Sequence, residues 1–483
     1  MSARSLRTGL DKISMPPVIQ GAMGIYAFPS SSARLVALQG QLGVVSGTGI
    51  HLIFPRLLQL GDQGGHFRRA LSAFPDQEMA ERILSRYYVP EGISPATPFQ
   101  NIEQFSVTPS RELIELTICA NFCQVWLAKE NHDGLIGVNF LEKIQMPHLY
   151  ALYGVLLAQV DYLFIGAGIP IQISAVLDKL VRHEPASYTI NVIGADRTVE
   201  CQTYFDPRQF IHHTLPELKR PLFFPIISSS TIAQMMIKSG HHKIDGWIVE
   251  TNVAGGHSAS PRGRVVLTES GEPLYGVRDE IDFDQLSLIG LPYYLAGAYA
   301  SPEMLAIAKS LGAIGIQSGS IFTLSNESGI NPSLRDYMRK EGYNNRLIVF
   351  NDPQASPTGF PFKVVRMPGT LGDPAIYQAR QRICDLGGLL QPYFRQNSSI
   401  GYRCPAEPMY GYCNKGGKKE DALNRMCLCN GLFATVGLGQ RRYDGTIEPP
   451  VVTLGQDLTF LRHLMSDEND DYSIEDVILY LLS

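Results

Sequence analysis

Short apolar runs, most of them closed by Gly, Ser or Asn and followed by a segment of helical period, recur along the chain. They occupy residues 17–22 (PVIQGA), 42–46 (LGVVS), 135–140 (LIGVNF), 161–166 (DYLFIG), 222–228 (LFFPIIS), 246–251 (GWIVET), 292–298 (PYYLAGA) and 313–318 (AIGIQS). Near-continuous apolar strands are expected where both faces of a parallel sheet are covered. Between the last two runs, Ser301 is placed to cap a helix, Glu303 falls in its first turn, and Gly312 ends it. Eight such strands alternating with helices predict an α/β fold, a closed (β/α)8 TIM barrel, with right-handed crossovers.

Two stretches interrupt the alternation, at residues 51–131 and 171–219, the second with a strand-like piece of its own (TINVIGADRTVECQTYF). Beyond residue 330 the regular pattern stops, with helix-like pieces at 374–386 and 457–464. The expected organisation is a barrel over residues 15–330 carrying both insertions, and a C-terminal, partly helical cap subdomain over 331–483.

Composition narrows the class. With 41 Lys and Arg against 46 Asp and Glu in 483 residues, the formal net charge is −5, and 18% of residues are charged. A chain of this kind buries a core, and with no basic run it offers nothing to nucleic acid. The most apolar region, 144–160, meets His148 and then Asp161 before it reaches membrane-spanning length. The N-terminal MSARSLRTGLDKISMPP lacks the apolar centre of a secretory signal. Eight cysteines are too sparse for a disulfide scaffold. The expectation is a cytoplasmic protein bound to neither membrane nor nucleic acid.

In a parallel barrel the chemistry sits at the C-terminal ends of the strands. There the sequence places Gly21, Ala22 and Met23 after the first run, Asn139 in the third and Gly166 in the fourth. Glu250 leads into Gly255, Gly256 and His257 after the sixth. Ala296, Gly297 and Ala298 close the seventh run, and Gln317, Ser318, Gly319 and Ser320 the eighth. The last two groups predict a phosphate cradle of bare backbone amides beside a helix N-terminus. His257 follows two glycines, so a flat ligand can approach while the imidazole reaches over it, and histidine exchanges a proton near neutral pH.

The motifs IQGAM, VNF, AGGH, LAGA and IQSGS, in this order over about residues 15–330, resemble those of the nitronate monooxygenase (2-nitropropane dioxygenase) family. That family includes the related FMN-dependent enoyl reductases that act in trans with polyunsaturated fatty acid and polyketide synthases. The resemblance implies FMN, with its phosphate at Gly297, Ala298, Gly319 and Ser320. It sets Ala22, Met23, Asn139 and Gln317 near the isoalloxazine and makes His257 the catalytic proton-transfer residue. Ser258-Ala259 after AGGH and Ala296 before Gly297 depart from the family pattern. The first activity implied is oxidation of alkyl nitronates by O2 to a carbonyl compound and nitrite. The alternative is reduction of an enoyl thioester, with NAD(P)H as candidate reductant. An acyl carrier protein and a second copy of the chain are candidate partners. A third alternative is a barrel without flavin that serves as a binding component of a synthase.

Three further features lie outside these motifs. Residues 352–364 (DPQASPTGFPFKV) predict an ordered loop packed against the barrel mouth. Cys404, Cys413, Cys427 and Cys429 lack the C-x2-C hairpins of a zinc site and are expected to be reduced thiols. Lys415, Lys418 and Lys419 are expected on a solvated turn.

Overall fold

The computed structural model describes residues 15–21, 23–195, 201–239, 243–397 and 399–483. Among these residues ten strands precede residue 330. They are β1 (Val18–Gln20), β2 (Gly43–Ser46), β3 (Ile136–Leu141), β4 (Tyr162–Gly166), β5 (Ala186–Thr189), β6 (Gln202–Phe205), β7 (Leu222–Ile227), β8 (Trp247–Glu250), β9 (Tyr293–Ala296) and β10 (Gly315–Ser318). Eight of them pair in parallel in the order β1-β10-β9-β8-β7-β4-β3-β2. Residue Leu42 closes the ring: its carbonyl accepts from Gln20 N at 3.0 Å and its N–H donates to Val18 O at 3.2 Å. The chain is a TIM barrel, and all eight apolar runs are its strands.

The two-residue strand period fixes what faces inward. Ile19, Val44, Tyr162, Phe164, Phe224, Ile248 and Tyr294 fill the barrel as one apolar cluster, with the Tyr162 and Phe164 rings stacked at 6.1 Å. The alternate residues, among them Val45, Val138, Leu163, Phe223, Trp247 and Leu295, pack under the surrounding helices. One step further along each strand, the same period points Ser46, Asn139, Gly166, Ile226, Glu250, Ala296 and Gln317 into the upper end of the barrel. Four of these seven, Ser46, Asn139, Glu250 and Gln317, are polar, where the layer beneath is apolar.

The first insertion is helical. Helices Ile50–Gln59, His66–Ser72 and Gln77–Tyr87 lead to the long helix Arg111–Lys129, whose N-cap Ser110 accepts from Leu113 N. In the second insertion β5 and β6 pair antiparallel. Beyond the barrel lie two further antiparallel pairs, β11 (Ile348–Asp352) with β12 (Phe362–Arg366) and β13 (Gln391–Phe394) with β14 (Ile400–Arg403), and short helices that include Leu428–Thr435 and Ile474–Leu481. The helix expected over 374–386 ends at Ala379, where the next residue, Arg380, turns to extended backbone and sends its side chain to buried Glu448. The piece at 457–464 is helical only at Leu461–Leu464. Among the described residues no helix is long and apolar enough to cross a membrane.

Candidate functional site

Two neighbouring cavities, of about 130 and 70 Å³, open at the C-terminal end of the barrel. The smaller is the anticipated cradle. It is lined by Gly21, Met23, Ala296, Gly297, Ala298, Gln317, Ser318, Gly319 and Ser320. Gly297 has φ +85°, and a Cβ there would stand 2.2 Å from Thr251 Oγ1. Ala298 also takes a positive φ, of 60°. This bent backbone runs into the N-cap Ser301 of helix Pro302–Ser310, while Gly319 is the N-cap of helix Ser320–Thr323. The side-chain oxygen of Ser320 is already engaged by Gly455 N at 2.7 Å, and Ser318 Oγ donates to Tyr299 O. The cradle is therefore a backbone device, closed on one side by residues 455–460.

The larger cavity is lined by Met23, Asn139, Gly166, Glu250, Gly255, Gly256 and His257 from the sequence-predicted set. Gln317 lines the cradle rather than this cavity, while Met23, Glu250 and Gly255 line both. Ala22 lies outside the described residues. The buried Gln317 Oε1 and Ser46 Oγ have no hydrogen-bond partner among the described residues, the first in the lining of the cradle and the second in that of the larger cavity.

His257 is held from the far side of the chain. Its Nε2 lies 2.7 Å from Ser356 Oγ, and its ring meets Phe362 edge-on at 4.9 Å. Burial, with the Lys143 ammonium nearby, lowers its pKa to about 4. The expectation that it titrates near neutrality does not hold, because desolvation disfavours the imidazolium. Glu250 moves the other way. Burial raises its carboxyl to about 7, against the pull of the Lys363 ammonium. Lys363 is itself buried and lowered to about 8, and its Nζ donates to Asn252 O at 2.6 Å.

The loop at 352–364 does more than pack against the mouth, since it delivers Ser356, Phe362 and Lys363 to the site. Leu389, Leu428, Leu432 and Phe433 complete an apolar wall opposite the strands. Neither these residues nor His51, which lines the cavity from helix Ile50–Gln59, was among the candidates read from the sequence.

Solved structures similar to the chain include FabK from Thermotoga maritima, at 15% identity and TM-score 0.47 over 97% of this chain and 91% of that one. Nitroalkane oxidase from Streptomyces ansochromogenes matches at 12% identity and TM-score 0.43, over 96% and 95%. The enoyl reductase domain of MlnA from the macrolactin biosynthesis cluster of Bacillus amyloliquefaciens matches at 12% and 0.47, over 97% and 93%. No protein-family model and no curated protein matches the chain. At such identities the barrel rests on its own strand pairing, and activity has to be argued from the site.

The cysteines gather differently from their sequence spacing. Cys384, Cys404, Cys427 and Cys429 line one small cavity in the C-terminal region, and Cys413 is not among them. All eight cysteines are free thiols. Among the described residues no three of His, Cys, Asp and Glu are grouped to hold a metal ion. Lys415 lies on a turn and pairs with Glu407 at 2.8 Å, and Lys418 and Lys419 are exposed.

Proposed function

We propose that the chain is an FMN-dependent oxidoreductase that reduces the carbon–carbon double bond of an apolar enoyl thioester, with NAD(P)H as hydride source. The residues present fit FMN. The bent backbone at Gly297–Ala298 and Gly319–Ser320 suits its phosphate, and Gln317 Oε1, in the cradle, is a buried acceptor with no hydrogen-bond partner among the described residues. When bound, FMN supplies the hydride chemistry.

The observation that carries the substrate class is the charge of the larger cavity. No lysine or arginine is among its described lining residues, and its two imidazoles, His51 and His257, are held neutral by burial. A nitronate anion, the substrate first implied by the sequence resemblance, calls for a cation in that lining, and the Lys143 ammonium that acts on His257 stands outside it. A neutral thioester with an acyl chain against Leu389, Leu428 and Phe433 does not.

The same groups divide the remaining work. Glu250 lines both cavities, and its proton affinity lies nearest neutrality, so it holds the proton that adds at the α-carbon. His257, neutral and anchored by Ser356, orients. The apolar wall excludes water.

Anaerobic stopped-flow on the flavin-loaded protein tests the reading. Bleaching of the flavin by NAD(P)H and its reoxidation by an enoyl thioester are expected. Bleaching by propyl nitronate with NAD(P)H inert would overturn it in favour of nitronate oxidation. A protein that takes up no FMN would remove both.

A further inference from the structure

His51 is 6% exposed, lines the larger cavity, and makes no hydrogen bond with any described residue. An imidazole in a cavity wall with no protein partner is free to donate to or accept from a ligand in that cavity. Its position is not accidental. Gly49, at φ +76°, caps the helix that carries it, and Phe105 from the first insertion meets its ring edge-on at 5.0 Å. Phe105 is in turn stacked on Tyr150. Ser46, at the end of β2 and in the same cavity lining, adds a buried hydroxyl without a partner among the described residues.

We infer that His51, with Ser46 in the lining of the same cavity, binds the carbonyl oxygen of the thioester, donating a neutral N–H hydrogen bond to it. This rests on the enoyl-thioester reading. Hydride addition at the β-carbon moves the double-bond electron pair through the α-carbon onto that oxygen. The pair returns when a proton arrives at the α-carbon, so the carbonyl is restored and the double bond is saturated. A fixed donor at the oxygen stabilises the charge as it develops. Burial suits the role, since it keeps the ring uncharged down to a pH of about 3. His51 is thus the electrophilic partner of the carbonyl, and Phe105 positions it.

Two measurements test this. The flavin of the loaded protein is reduced with dithionite and reoxidised anaerobically by crotonyl-pantetheine. For His51→Leu the reoxidation rate is expected to fall by about 10²- to 10³-fold at unchanged flavin content, while His51→Gln, which keeps a donor, retains most of the wild-type rate. Infrared difference spectra of bound, carbonyl-labelled butyryl-pantetheine are expected to show the C=O stretch at lower wavenumber in wild type and His51→Gln than in His51→Leu. Equal rates and equal stretches in all three would overturn the inference. Should His51→Leu fail to fold, the C=O stretch in His51→Gln against that of free ligand decides, and an unshifted band overturns it. A wild type that lowers the stretch yet is not reoxidised by the thioester would sink the enoyl-reduction reading while leaving the carbonyl site standing.

Discussion

Gly297 meets two demands at once. Its φ of +85° lies where a side chain strains the backbone, and a Cβ would collide with Thr251 Oγ1. Gly297→Val is therefore expected to weaken FMN binding by about 10- to 100-fold, the equivalent of the few kcal/mol such strain costs; fluorescence titration of apoprotein with FMN measures it. His257 carries a second prediction. A histidine whose folded pKa, about 4, lies below its unfolded value of 6.5 adds stability that is present above pH 6.5 and lost as the pH falls through 4. His257→Gln should remove about one proton of linkage, or ~1.4 kcal/mol per pH unit, from the slope of unfolding free energy between those limits. Denaturant titrations at pH 7, 6, 5 and 4 give that slope. The cradle glycines are legible in sequence because bare backbone leaves a mark in the letters. Ser46 was equally accessible through the inward period of its strand, one step above Val44. His51 was not, since it enters the cavity from a helix and is aimed by Phe105, more than fifty residues away.

At the scale of elements, β12 and the loop before it act as an added edge to the turn that follows β8. Lys363 N donates to Gly256 O at 2.9 Å and Ser258 N to Pro361 O at 3.0 Å, so residues 256–258 are stitched to the C-terminal region on both sides of His257. Ser356→Ala should release the His257 ring at its Nε2. Turnover is expected to fall about tenfold, the worth of one hydrogen bond, with KM little changed; steady-state assays separate the two. Glu250, at the end of β8, should impose a pH limb near 7 on the oxidative half-reaction, the rate falling as its proton is lost above that pH. Glu250→Gln should abolish the limb, and a limb that persists would assign the proton elsewhere. The eight barrel strands were legible because double-sided burial writes them as unbroken apolar runs. The contribution of β12 was not. It is a short strand whose value lies in what it touches, and a chain separation of about a hundred residues hides that from any local pattern.

Across the whole molecule, a further line of polar contacts ties the C-terminal region to the helix that bears His51. Arg56, on the helix that bears His51, is 4% exposed and lies over the rings of Phe99 and Phe433 at 4.8 and 5.1 Å. Its guanidinium donates to Leu438 O and, at 2.6 Å, to Gln440 Oε1. The backbone of Gln440 accepts from the N–H of Glu448, whose fully buried carboxylate pairs with Arg380 and, at 2.8 Å, with Arg442. Apolar packing follows the same path, because Phe433, Leu438, Leu454 and Phe460 belong to the cluster that covers the outer faces of the strands. A boundary near residue 330 would therefore cut through one core, so barrel and C-terminal region are expected to unfold together. Removing the buried carboxylate tests this. Glu448→Ala leaves Arg380 and Arg442 without their shared counter-charge and should cost about 3–5 kcal/mol. The two tryptophans, Trp126 and Trp247, both lie before residue 330 and report on the barrel. In guanidinium their emission should shift to lower denaturant in the variant, in one transition that coincides with the loss of far-ultraviolet circular dichroism. If the tryptophan transition stays in place while a separate early one appears, the C-terminal region unfolds alone, and the cavity wall it supplies would be a detachable part rather than an extension of the barrel core.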